Sequence, residues 1–204
     1  EQLIHLVQGL IADSGVKTSA IRYMVIGCPG VVDPVSLRVH HSPNLTSLQN
    51  LDLKRVLADR FEWPIFLDND LNLHAYGEYR YGCSQNTSSS VFIGLGSGIG
   101  MGIMLGGQVW RGAKGGAGEI GYLPMGREPL NAEEKKHGAL EYSLNQLRRK
   151  YLEAQDAQPL DGRIMELHAR SSAYDDYIDA MARDCATAVA SIMTLLDPEI
   201  VIVG

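Results

Sequence analysis

Three residues at positions 68–70, Asp68-Asn69-Asp70, follow the apolar run Pro64–Leu67 and precede a stretch of helical character from Leu71 to about Tyr81. A carboxylate where a strand gives way to a helix lies at the edge at which α/β sheets bind ligands. There it can accept a proton from a substrate hydroxyl, as a general base must. The same residue types suit a helix N-cap, and the segment alone leaves both roles open for Asn69 and Asp70. A second candidate is Gly96-Ser97-Gly98-Ile99-Gly100-Met101-Gly102, with glycine at every other position. Such backbone can approach a phosphate and offer N–H donors, or it can form a hairpin turn. It is not a Rossmann fingerprint, because a strand is expected to follow, and no Gly-Lys-Ser/Thr makes it a Walker loop. A third is the run Gly112–Gly121, too rich in glycine for a stable helix or strand, with the single carboxylate Glu119 inside it. It is held by packing or by a ligand, or else it is a surface loop. Glu141 is expected to open a helix, where the helix dipole stabilises an anion. His40 and His41, adjacent in an expected strand, point to opposite faces. His5, His74, His137 and His168 are isolated, and no Ser/His/Asp or Cys/His arrangement is apparent.

The elements expected to carry these residues alternate at first. An amphipathic helix (Leu3, Ile4, Leu6, Val7, Leu10, Ile11) leads to a buried strand at 23–27 and a Cys28-Pro29-Gly30 turn. A short strand at Arg38–His40, a helix at Leu53–Phe61 and a strand at Pro64–Leu67 come next. This alternation predicts an α/β layer with a largely parallel sheet. The polar stretch Gln85–Ser90 is the best linker candidate and divides the chain into 1–88 and 89–204. Beyond it, strands at Val91–Leu95 and Ile103–Leu105 flank the glycine run, and a Gly106-Gly107 turn leads to Gln108–Trp110. A polar loop is expected at Arg127–Lys136, helices at Leu140–Tyr151 and Tyr174–Leu196, and a last strand at Ile200–Val203. Both ends fall inside elements, which predicts a piece of a larger protein.

With 45% apolar and 21% charged residues, the 204-residue chain has the composition of a globular protein with a real core. A net charge of −6 gives it no overall pull toward nucleic acid or an anionic surface. Any DNA-reading module is therefore expected outside it. No apolar run approaches the roughly 20 residues of a membrane span. Cys28, Cys83 and Cys185 are few, odd in number and far apart, as expected in a reducing cytoplasm.

Taken in order, the motifs resemble one family. Ile26–Asp33 (Ile-Gly-Cys-Pro-Gly-Val-Val-Asp), Ser42–Leu45, Leu67–Glu78, Gly94–Gly107, Arg111–Gly121, Gly138–Glu141 and Leu196–Glu199 are similar to successive signatures of the ROK family of repressors and sugar kinases. The resemblance covers nearly all of the chain from Ser19 onward, with order and spacing in agreement. It implies an actin-like ATPase (ribonuclease H-like) α/β fold of two lobes, present in truncated form, with a sugar in the cleft. It further implies that Asn44, Asn69, Asp70, Glu119 and Glu141 line the sugar and that Asp70 is the general base in a kinase. In a kinase, Gly96, Ser97, Gly98 and Gly100 would face the phosphates of ATP, which binds with magnesium.

The sequence departs from the family pattern in three places. Tyr122 stands where family members carry a histidine that binds zinc and sugar, and no cysteine occurs from Ser84 to Asp184, so no zinc is expected. The amino-terminal Asp-x-Gly phosphate loop of the kinases is expected upstream of these residues. Tyr122 either supplies a phenolic donor to the sugar or fills the vacant space with its ring. The Gly121-Tyr122-Leu123-Pro124-Met125-Gly126 wording resembles a subgroup of ROK transcriptional regulators. This implies a cytoplasmic, homodimeric sugar-sensing effector domain that meets DNA only through a separate winged helix-turn-helix. The alternative is an ATP-dependent hexose or N-acylhexosamine kinase.

Overall fold

A computed structural model describes residues 2–42, 45–49, 51–96, 98–126, 130–154 and 172–204. The chain divides into two compact units that do not follow chain order. The first combines Glu1–Ser88 with Gly102–Gly118, and the second combines Ser89–Met101 with Glu119–Gly204.

In the first unit, α1 (Gln2–Ser14) precedes β1 (Met24–Cys28), which pairs in parallel with β4 (Ile65–Asn69) in the register Met24↔Ile65 to Cys28↔Asn69. Between them lie the antiparallel pair β2 (Val31–Val32) and β3 (Val39–His41) and the helix α2 (Leu53–Ala58). The inward-facing positions explain the layer. Cys28, Val32, Val39, Leu53, Leu57, Phe61, Ile65 and Leu67 form one buried cluster, with Leu3, Ile4 and Val7 of α1 packed against it. Burying such side chains contributes about 1.5–3 kcal/mol each, the main favourable term holding helices to the strands. The helix α3 (Asp70–Tyr81) leaves β4 directly. The end of β6 (Ile99–Leu105) turns at Gly106-Gly107 into β7 (Gln108–Val109), pairing Met104↔Val109 and Leu105↔Gln108.

In the second unit, β5 (Ser89–Leu95) pairs in parallel with β8 (Ile200–Val203), from Ser90↔Ile200 to Ile93↔Val203. A short 3₁₀ turn at Ile120–Tyr122 leads to α4 (Ala132–His137), α5 (Ala139–Ala154) and α6 (Ser172–Leu196). The Ser143 hydroxyl donates to Asp184 at 2.6 Å, joining α5 to α6.

Three expectations are corrected. β6 begins at Ile99 rather than Ile103, so most of the glycine run is strand. Ile99, Met101 and Ile103 are buried apolar residues at the strand period of two, and that alternation overrides the glycines. The expected polar loop at 127–136 contains α4, started by a capping box in which Asn131 accepts from the Glu134 N–H and the Glu134 carboxylate accepts from the Asn131 N–H. The linker expected at 85–90 is partly structured as well. Thr87 donates to the Ser84 carbonyl, Ser84 and Ser90 are buried, and β5 starts at Ser89.

Candidate functional site

The candidate residues of the first unit gather where β4 becomes α3. The Asn69 side-chain oxygen accepts from the Leu71 and Asn72 N–H groups at 2.8 and 3.2 Å, so Asn69 is the N-cap of α3. Its amide group donates to the Gly30 carbonyl at 3.0 Å, tying α3 to the turn after β1. Asp70, half-buried in the first helical turn, places one carboxylate oxygen 3.0 Å from the Leu71 N–H. It borders a cavity of about 370 Å³ with Gly27, Leu73, His74, Gly77 and Glu78. Behind it, Asp68 is only 9% exposed. One of its carboxylate oxygens accepts from the Asn69 N–H and the Asn72 side-chain amide, both at 2.8 Å. The other accepts from Arg111 Nε at 3.0 Å and Nη2 at 2.6 Å. Burial, then the charges of Asp70 and Asp68, push the Cys28 thiol above its ordinary value, so this cysteine stays protonated and unreactive.

In the second unit, Glu119, Tyr122 and Glu141 come together. The Tyr122 phenol donates to the Lys136 carbonyl at 3.2 Å, clasping the 3₁₀ turn to α4. Burial, then the carboxylates of Glu119 and Glu141, raise its pKa. Glu141, in the first turn of α5, reaches back across two glycines. A Cβ placed on Gly98 or on Gly121 would stand 3.2 Å from Glu141 Oε2, a tight contact that would shift the carboxylate by a few tenths of an ångström. Carboxylates of this kind accept hydrogen bonds from neighbouring hydroxyls, which is the chemistry of sugar recognition.

Asn69 and Asp70 thus share one end of the first unit, while Glu119, Tyr122, Glu141, Gly96, Gly98 and Gly100 belong to the second. Asn44 and Ser97 lie outside the described residues. Gly96 and Gly98 form the turn between β5 and β6, with the Gly96 N–H donating to the Gly98 carbonyl at 3.0 Å, whereas Gly100 lies within β6. The stretch from Tyr122 to Leu140 offers His137 and carboxylates but no thiolate, and His137 lies 3.6 Å from Glu133 across one helical turn. That donor set does not fit the family's zinc. Among the described residues, no group of three or more His, Cys, Asp or Glu converges on a metal position. No described helix is long and apolar enough to cross a membrane. Sequence reasoning missed the Asp68–Arg111 pair. Both residues were visible, one ending a strand and one opening the glycine run, but nothing local links positions 43 residues apart.

A family model described as the ROK family matches residues 1–204. The chain belongs to the ROK family, and its fold is the actin-like ATPase fold of that family. The xylose repressor of Caldicellulosiruptor bescii is 33% identical over 129 residues, which are 61% of this chain and 32% of that protein. The transcriptional dual regulator NagC of Escherichia coli K12 is 28% identical over 195 residues, 86% of this chain and 46% of NagC. The matched segments therefore make up less than half of each of these two relatives, and the chain spans about half their length. A ROK glucokinase from Streptomyces griseus, solved with glucose and AMPPNP, superposes with a TM-score of 0.83 at 25% identity, covering 100% of this chain and 71% of that one.

Proposed function

We propose that this chain is the sugar-sensing body of a ROK transcriptional regulator, with Asn44, Asn69, Asp70, Glu119, Tyr122 and Glu141 as its sugar-binding residues. The observation that carries the reading is the Tyr122 phenol. It stands where the family's histidine is expected, and it donates to the Lys136 carbonyl, so that a hydrogen bond clasps the turn to α4. Repressor names among the relatives support the same choice. In this reading the carboxylates of Asp70, Glu119 and Glu141 accept hydrogen bonds from sugar hydroxyls, and occupancy is communicated to a DNA-binding module elsewhere in a cytoplasmic homodimer. The second reading, an ATP-dependent hexose or N-acylhexosamine kinase, is favoured by the glycine turn at Gly96–Gly98 and by the likeness to the glucokinase. There, Gly96, Ser97, Gly98 and Gly100 would hold the phosphates of ATP with its magnesium, and Asp70 would be the base.

The test titrates the whole protein with D-xylose, D-glucose and N-acetylglucosamine by calorimetry, and follows ADP release with ATP and magnesium. The expected result is sugar binding without ADP release. Asp70→Asn should weaken that binding by about 1–3 kcal/mol, the scale of a hydrogen bond to a charged group. Sugar-dependent ADP release would replace the regulator reading by the kinase. Unchanged affinity in Asp70→Asn would remove Asp70 from the site.

A further inference from the structure

Arg111 has no place among the sugar-facing residues, yet two parts of the first unit hang on it. We propose that Arg111 is a positioning residue for Asp70, acting through Asp68 to hold the start of α3 and the Gly112–Gly118 loop in one fixed arrangement. The sugar arm of this proposal rests on the reading of Asp70 as a sugar contact.

The guanidinium places Nε and Nη2 on one oxygen of Asp68, while Nη1 donates to the Val109 carbonyl at 3.2 Å. A planar guanidinium tied at three nitrogens has one orientation, and it imposes that orientation on the carboxylate it grips. The second Asp68 oxygen is occupied by the Asn69 N–H and the Asn72 amide. Turning the carboxylate would therefore break contacts to the peptide that leads into Asp70 and to the first turn of α3. Asn69 repeats the constraint from the far side, because its side chain both caps α3 and donates to Gly30. On its other side, the Arg111 carbonyl accepts from the Ala117 N–H at 3.1 Å, which closes the glycine loop. Gly115 of that loop, at φ +80°, lies so close to the Val32 carbonyl that a Cβ there would collide with it. Glu119 follows Gly118 directly in the chain. One residue thus orients the carboxylate behind Asp70 and closes the loop that leads to Glu119.

A pair that served the fold alone would change stability without an Asp70-dependent change in ligand affinity. The experiment uses the whole protein and two substitutions. Arg111→Lys keeps the charge but loses the fork. Arg111→Gln combined with Asp68→Asn removes both charges, so that the nearly buried Asp68 carboxylate is not left without its partner. Each is also made with Asp70→Ala. Amide hydrogen exchange is read at Leu71, Asn72 and Ala117, and affinity for D-xylose, D-glucose and N-acetylglucosamine by calorimetry. Exchange at all three amides is expected to rise together by about tenfold or more, while exchange in α5 stays unchanged. Sugar affinity is expected to fall about tenfold with Asp70 present and by less than about twofold in the Asp70→Ala background. Exchange that rises at Ala117 alone, or at none of the three, overturns the proposal, as does an equal loss of affinity in both backgrounds. If the unsubstituted protein binds none of the three sugars, the sugar-site reading falls, and the exchange data still decide whether Arg111 holds both segments.

Discussion

Replacing Asn69 by alanine removes three hydrogen bonds at the junction of β4 and α3. Its oxygen accepts from Leu71 and Asn72, satisfying two of the N–H groups that the start of a helix leaves without intrahelical partners. Losing such a cap costs about 1 kcal/mol. The amide group also donates to the half-buried Gly30 carbonyl at 3.0 Å, and losing that bond adds about 1 kcal/mol. The sum of about 2 kcal/mol corresponds to a fall in Tm of roughly 4–8 °C for a chain of this size. Asn69→Ser divides the effect, because serine keeps an oxygen for the cap and loses the Gly30 bond. It should cost about half as much as alanine. Asn69→Asp keeps the acceptor but sets a third carboxylate between Asp68 and Asp70 and leaves the Gly30 carbonyl without its donor, so it should exceed the serine loss. Thermal unfolding followed by far-ultraviolet circular dichroism gives the ranking directly. An alanine variant melting within about 1 °C of the parent would refute the assigned cap, since even the weakest caps are worth about 0.5 kcal/mol. So would a serine variant as damaged as the alanine one.

Two further outcomes follow from the geometry. Burial and the carboxylates of Glu119 and Glu141 hold the Tyr122 phenol above its ordinary 10.0, so the unfolded chain loses this proton first as pH rises. The stability Tyr122 contributes is complete below pH 10 and declines above it. Tyr122→Phe should therefore flatten the alkaline limb of a denaturant-midpoint profile, and identical limbs in parent and variant would contradict the assignment. Gly115→Ala forces a side chain into φ +80° and against the Val32 carbonyl, and should destabilise by about 1–3 kcal/mol. Gly116→Ala, where a Cβ would meet nothing within 4 Å, is the control and should be nearly neutral. Equal losses in the two variants, measured by urea unfolding, would refute the close approach at Gly115.

Much of the local grammar can be read from residue types. The strand–Asp68-Asn69-Asp70–helix junction shows in the sequence, and the capping role weighed there for Asn69 is the one its side chain performs. The Gly106-Gly107 turn and the helix opened by Glu141 were equally legible. Glycines at 98, 100 and 102 read as loop in the sequence, although Ile99, Met101 and Ile103 between them carry the alternation of the strand β6. The polar composition of α4 reads as loop, and the signal that finds the helix is the Asn131-x-x-Glu134 capping box.

By itself the sequence determined the family, through seven motifs in the right order, and the acids and amides offered for recognition. Residue types carry that information because each motif is contiguous, and hydrogen-bonding capacity belongs to the side chain wherever it lies. Tertiary structure alone decided which groups meet. Asp68 and Arg111 are 43 residues apart, and only the return of the chain through β6 and β7 brings the guanidinium onto the carboxylate. Likewise the Tyr122 phenol finds the Lys136 carbonyl only because α4 folds back against the 3₁₀ turn. Such pairings depend on packing across long separations, where local propensity has no reach and the cost of ordering distant segments is met by the buried core.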